Sequence, residues 1–302
     1  MEACADMRRA RPLLGTFVEI TGAGRAAGDL GRAIDAAFEA VARVHRLMTF
    51  HDPQSDLSRL NSAAGDSAVR VHPWTYQVLQ TALELHRRSA GLFDVAVAPA
   101  LQQMGLLPLQ NSDVVTIPQR ASAGEAVELL GNCRVRLRGR AVIDLGGIAK
   151  GFAVDRALEV LRSHGLAHGL VNAGGDLAAF GAPPESVHLR HPANPRRLLA
   201  QVEIADVALA SSGRMFDALQ FAEVGHCAVI DPRNGAQVRA IAGVTVRAPS
   251  CTIADALTKV VMIAGEAAAS LLTHYRASAF LMLASGEIRA TADWQDGIRL
   301  AA

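Results

Sequence analysis

Apolar residues recur along this chain with two periods. Leu30, Ile34, Phe38, Val41, Val44 and Met48 fall on one face at helical spacing, which predicts a long helix after the strand-like "GTFVEITG" (15–22). Residues 74–90 read as a second helix, stopped by Gly91 at a C′ position. Residues 148–163 read as a third, and a last long helix runs from about Ala254 to Leu272. "CRVRLRG" and "AVIDLG", on either side of Gly139-Arg140, predict a hairpin. "HGLVNAGGDLAAFG" (168–181) gives two strands broken at Gly174-Gly175. "VHLR", "LLAQVEIADVALASSG", "HCAVIDPRNG" and "GVTVRAP" carry further strand signals, and "SAFLMLASGEIRAT" reads as a closing hairpin. Between these, "MTFHDPQSDLSRLN" (48–61) is a polar connector with an N-cap at Ser55, and 113–120 are linker-like before the helical "AGEAVELLG".

Strands crowd the second half in hairpin order with helices interspersed, which predicts an α+β fold with a mostly antiparallel sheet. No repeat or interdomain linker is visible, so a single domain over residues 1–302 is expected, with residues 1–10 a flexible N-terminus.

Composition narrows the class. Half of the 302 residues are apolar, a fifth are charged and the formal net charge is +1, as in a packed globular protein. Basic residues cluster only in pairs such as Arg8-Arg9 and Arg196-Arg197, and two Trp and two Tyr make no stacking platform, so no nucleic acid is expected as a partner. Cys4, Cys133, Cys227 and Cys251 stand far apart without a CxxC pair, which argues against a zinc site or a disulfide framework. The opening "MEACADMRRARPLLG" lacks the apolar core of a signal peptide, and no apolar run approaches membrane-spanning length. A cytoplasmic protein with no membrane span is therefore expected.

"GAGRAA" (22–27) matches a dinucleotide fingerprint, but the helical period runs through the place where a second strand and its acid should follow. Gly22 and Gly24 are read as loop residues between strand and helix. "AVIDLGGIAKGFAVD" (141–155) is more informative: an apolar run, a Gly-Gly turn and a helix start carrying Lys150 describe an anion site, with Asp144 beside it. Asp144 either caps the following amides or serves a cation bridging it to a phosphate. In "CTIADALTKVV", Thr252 and Asp255 have capping-box spacing and Lys259 follows Asp255 by one turn. The alternative is that Asp255 converges with Asp144 on one cation. "NAGGD" (172–176) allows backbone to approach a ligand, "SSG" (211–213) supplies hydroxyls, and "HCAVIDPRNG" (226–235) ends in a turn signal.

Taken in order, "LLGTFVEI", "MTFHDPQSDLSRLN", "FDVAVAPAL", "IDLGGIAKGFAVD", "VNAGGDLAAFG", "ALASSG", "HCAVIDPRNG" and "ADALTK" resemble the blocks of the ApbE family, the FAD:protein FMN transferases. The resemblance implies a T-fold-related α+β domain that binds FAD as substrate, cleaves its pyrophosphate with Mg²⁺ and attaches FMN to a Ser or Thr of an acceptor redox protein. It implies Asp255 and Lys259 at the catalytic position and Asp255 with the Gly147 carbonyl as metal ligands. It further implies Met48, His51, Asp94, Met104, Gly105, Asp144, Lys150, Gly174, Gly175, Asp176, Ser212, His226 and Asp231 around the nucleotide. The family is commonly exported to the periplasmic face of the inner membrane. Two positions depart from its pattern: His51 stands where a stacking tyrosine is usual, and Lys259 where a metal-ligating threonine is usual. A FAD-binding protein without chemistry, or a FAD pyrophosphatase without an acceptor, would share most of these residues.

Overall fold

The computed structural model describes residues 5–24, 27–63, 67–108, 121–139, 141–213 and 229–300. Eight strands form one open sheet in which every pairing is antiparallel. In spatial order they are β1 (Ala5–Leu13), β2 (Thr16–Gly24), β6 (His168–Ala173), β7 (Asp176–Phe180), β10 (Ala208–Gly213), β11 (Ile241–Ala248), β12 (Ser278–Leu283) and β13 (Ile288–Ala290). One face carries α1 (Ala27–Met48), α6 (Ala149–Ser163) and α7 (Cys251–Ala264), with α6 packed between the other two. The fold is α+β with a mostly antiparallel sheet.

Alternation along β7 shows both faces at work. Ala178 and Phe180 join the core under the helices, whereas Leu177 and Ala179 join a second cluster on the opposite face. That second cluster is closed by a three-stranded sheet of β8 (Glu185–His191), β9 (Asn194–Ile204) and β14 (Ile298–Leu300), through Leu189, Leu199, Val202 and Ile204, with Trp294 beside Phe280. The predicted face of α1 lies wholly in the main core, Leu30 to Met48 included.

Several local expectations are corrected. Residues 5–10 are not a loose end: they belong to β1, registered on β2 from Ala5↔Gly24 to Leu13↔Thr16. The same pairing places Gly22 and Gly24 inside β2 rather than in a loop. The polar connector contains α2 (Asp56–Ser62), capped as expected by Ser55, whose hydroxyl accepts from the Ser58 amide at 2.9 Å. The helix over 74–90 is α3 (Pro73–Arg88), and α4 (Ala98–Gln103) follows. "AGEAVELLG" holds only one helical turn, α5 (Ala123–Ala126), before β4 (Val127–Leu129). β5 (Arg134–Leu137) pairs with β4 and with β3 (Ala68–Arg70), not with "AVIDLG". That segment lies outside any sheet: Asn61 binds both backbone groups of Ile143 at 2.9 Å, and the Asp144 amide donates to the Val95 carbonyl at 2.7 Å.

The last helix starts at Cys251 and breaks at a 3-10 turn, Gly265–Ala268, before α8 (Ala269–His274). Contrary to expectation, Cys251–His274 is long and apolar enough to cross a membrane by length and composition, with a mean hydropathy of 1.4. Its apolar residues pack on β10, β11 and α6, as a core helix does.

Candidate functional site

Two helices lock together and create the site. Ser250 caps α7 through the Ile253 amide, and Asp155 of α6 accepts from the amides of Cys251 (2.8 Å) and Thr252 (2.9 Å) and from the Thr252 hydroxyl. Asp255 is therefore not part of a capping box. It is the fifth residue of α7, fully buried, and its Oδ2 accepts from the Gly151 amide of α6 at 3.0 Å. A Cβ on residue 151 would lie 2.2 Å from the Cys251 carbonyl oxygen, so only glycine permits this approach.

The charges beside this contact are paired. Lys259 donates to Asp255 Oδ1 and, at 3.1 Å, to the Asp255 carbonyl. Lys150, in the first turn of α6, donates to Oδ2 of Asp176, whose Oδ1 accepts from the Ser211 amide at 3.2 Å. Thr258 donates to the Asp255 carbonyl at 2.6 Å and shares a 2.8 Å hydrogen bond with Ser212. Burial pushes the Asp176 carboxyl above its ordinary range, against the pull of Lys150. For Lys150, burial presses toward the neutral amine, but the carboxylates of Asp176 and Asp255 outweigh it and hold the ammonium above the usual lysine value.

Next to this cluster, Asp144 Oδ2 accepts from the Gly146 amide at 3.0 Å, a local cap, and burial raises its carboxyl. Asp94, Asp144, Gly147, Phe93 and Lys259 are among the residues that line a cavity of about 50 Å³. A larger cavity of about 290 Å³ lies between α3, α6 and the start of α7; four of its charged residues pair as Arg156–Glu159 and Arg162–Asp206, and the fifth, Asp155, is taken up by the start of α7. The smaller cavity brings the Lys259 side chain together with the carboxylates of Asp94 and Asp144.

The Gly174–Gly175 turn joins β6 to β7 just before Asp176. Asn172 fixes it by accepting from the Gly175 amide at 2.9 Å, and both glycines have positive φ, 64° and 101°. Thr16, at the start of β2, sits 2.6 Å from where a Gly174 Cβ would be, whereas nothing lies within 4 Å at Gly175. The turn is therefore open on the side of Gly175.

Of the residues singled out in the sequence, Asp144, Gly147, Lys150, Gly174, Gly175, Asp176, Ser212, Asp255 and Lys259 lie on these connected elements. His51 is exposed and close enough to Asp144 to act on its charge. Met48 is a core residue at the end of α1, 4% exposed. Asp94 accepts from the amides of Ala96 (2.7 Å) and Ala123 (3.1 Å) and faces His86 at 3.3 Å, so its carboxylate organises loops, and it also lines the small cavity with Asp144 and Lys259. Met104 accepts from the Gln237 side chain at 3.5 Å, with Gly105 following at φ 72°. Asp231 binds Arg233 through both oxygens. His226 lies outside the described residues. Gly151, Asp155 and Thr258 were missed, although Gly151 and Asp155 stand inside the most informative motif.

Comparisons with known proteins place the chain by family and fold. The chain is 28% identical over 235 residues to the FAD:protein FMN transferase of Vibrio cholerae, covering 74% of this chain and 70% of that protein. It is 24% identical to the one from Treponema pallidum, covering 98% and 89%. Among solved structures, the ApbE protein of Thermotoga maritima superposes with a TM-score of 0.84 at 25% identity, covering 98% of this chain and all of that one. The flavin transferase ApbE of Vibrio cholerae gives 0.81 at 23% identity over 98% of this chain and all of that one, a likeness of fold. The sequence profile of the ApbE family matches residues 14–282, and the chain belongs to that family.

Proposed function

We propose that this protein is an FAD:protein FMN transferase. The observation that carries the reading is the buried cluster in which Lys150, held on Asp176 next to the open Gly174–Gly175 turn, comes together with Lys259, held on Asp255. A pyrophosphate needs cations and backbone donors that cost little reorganisation when charge shifts between its phosphoryl groups. In the reaction, the hydroxyl oxygen of an acceptor Ser or Thr bonds to the FMN phosphorus, the bridging P–O bond breaks, AMP departs and the hydroxyl proton is released. Lys150 and Lys259 orient the phosphates and balance the charge gathering on AMP. Asp176 and Asp255 fix the two ammonium groups, and the short Ser212–Thr258 link holds the α7 backbone against β10. The redox acceptor protein and FAD are the partners in this reading.

Mg²⁺, which the family resemblance implies, demands near-octahedral oxygen coordination. Both carboxylate oxygens of Asp255 are engaged, one by Lys259 and one by the Gly151 amide. Among the described residues no group of three His, Cys, Asp or Glu could hold a metal ion. This donor set does not fit a divalent cation, and the reading requires no step through one.

AMP release from FAD, followed chromatographically with and without an acceptor protein, tests the reading. Release that depends on the acceptor supports transfer. Intact FAD that stays bound would mark a flavin binder, and AMP release indifferent to acceptor a pyrophosphatase.

A further inference from the structure

Four charges balance in the buried cluster: Asp176 and Asp255 face Lys150 and Lys259, near enough that Asp176 responds to all three of the others, and the Asp144 carboxyl also lies within reach of Lys259. With an uncharged side chain at position 259 the four-residue cluster would carry one net negative charge. A buried, uncompensated carboxylate takes up a proton or a cation. Lys259 supplies that cation from within the chain. It lies one turn after Asp255 on α7 and reaches both the carboxylate and the carbonyl of that residue, the two kinds of oxygen a metal ion would take. An ammonium has three N–H donors, so two go to Asp255 and one is left for a ligand. The side chain runs beside Gly147, with Cε 3.6 Å from where a Cβ would be, into the small cavity shared with Asp144 and Phe93. That side chain is 19% exposed, so it is not sealed in the core.

We infer that Lys259 is the resident cation of this site: its ammonium holds the place on Asp255 that a divalent metal would occupy and itself pairs with a phosphate oxygen of the pyrophosphate ligand, which then binds without added metal. The identity of the ligand as FAD rests on the flavin-transfer reading; the lysine's role does not.

Two titrations on the full chain test this. FAD binding is followed by flavin fluorescence in EDTA and in excess Mg²⁺, and Mn²⁺ binding by electron paramagnetic resonance. The parent should bind FAD equally in both conditions and take up no Mn²⁺. Lys259→Met, which keeps the packed stem, should weaken FAD binding in EDTA about tenfold or more, and Lys259→Arg should retain it. Lys259→Thr should bind Mn²⁺ and regain FAD affinity only with Mg²⁺. Thermal melts of each variant separate loss of binding from loss of fold. FAD binding by the parent that needs Mg²⁺, or Mn²⁺ uptake by the parent equal to that of Lys259→Thr, would overturn the inference. If no form binds FAD, the flavin reading fails, and the Mn²⁺ comparison still decides the role of Lys259.

Discussion

The Gly151 amide donates to the Asp255 carboxylate at 3.0 Å, and through this bond the first turn of α6 grips the second turn of α7. The contact uses a donor that a helix start leaves without an internal partner, and it fixes the orientation of the carboxylate that holds Lys259. A methyl group at position 151 would strike the Cys251 carbonyl and, at 2.8 Å, Asp255 Cβ. Gly151→Ala should therefore force the helices apart, costing about 1–3 kcal/mol in urea unfolding. It should also abolish FAD binding. Unchanged stability would mean that the two helices do not meet so closely.

Asp155 makes the reciprocal contact, accepting two α7 amides and the Thr252 hydroxyl. Asp155→Ala should leave those donors without their acceptor and destabilise by about 1–3 kcal/mol, with Asp155→Asn losing less. Because Asp155 touches neither lysine, FAD affinity should fall far less than stability, when both are measured below the melting transition. Loss of binding at full stability would contradict a structural role.

The outcome shows what a sequence pattern can and cannot carry. The α1 face, the Gly-Gly turn and the closing hairpin were legible because periodicity and turn chemistry are local. Thr252 and Asp255 misled because their spacing satisfies a capping box, whereas Ser250, two residues earlier, does the capping. Which carboxylate caps and which crosses to another helix depends on how α6 and α7 pack, and that information is not local. "AVIDLG" read as a strand for the same reason: its apolar run is buried, yet its backbone is satisfied by Asn61 and Val95 rather than by a ladder.

His86 offers a pH test away from the cluster. Its hydrogen bond to Asp94 raises its pKa above the ordinary histidine value despite partial burial. The protonated imidazole thus contributes stability that is fully present below about pH 6.5, its unfolded value, and is lost as pH rises through the higher folded value. The melting-temperature gap between the parent and His86→Gln should be widest in acid and should close toward alkaline pH. A gap that widens with pH would contradict the pairing.

Asp255→Asn separates chemistry from architecture. The amide oxygen can still accept from Gly151, so the fold should persist with a lowered melting temperature. Lys259 loses its anchoring charge, and turnover should fall on the order of 10²-fold or more. Near-parent turnover would remove Asp255 from the working site.

Flavin transfer itself is the central claim, and the mass of the acceptor reports it most directly. The protein is incubated with FAD and a redox protein carrying a flavinylation Ser or Thr, then the acceptor is denatured and analysed by mass spectrometry and in-gel flavin fluorescence. The account predicts an acceptor heavier by one FMN phosphoester and fluorescent after denaturation, with both signals lost when the acceptor hydroxyl is replaced by alanine. An acceptor of unchanged mass, while FAD is bound or hydrolysed, would contradict it.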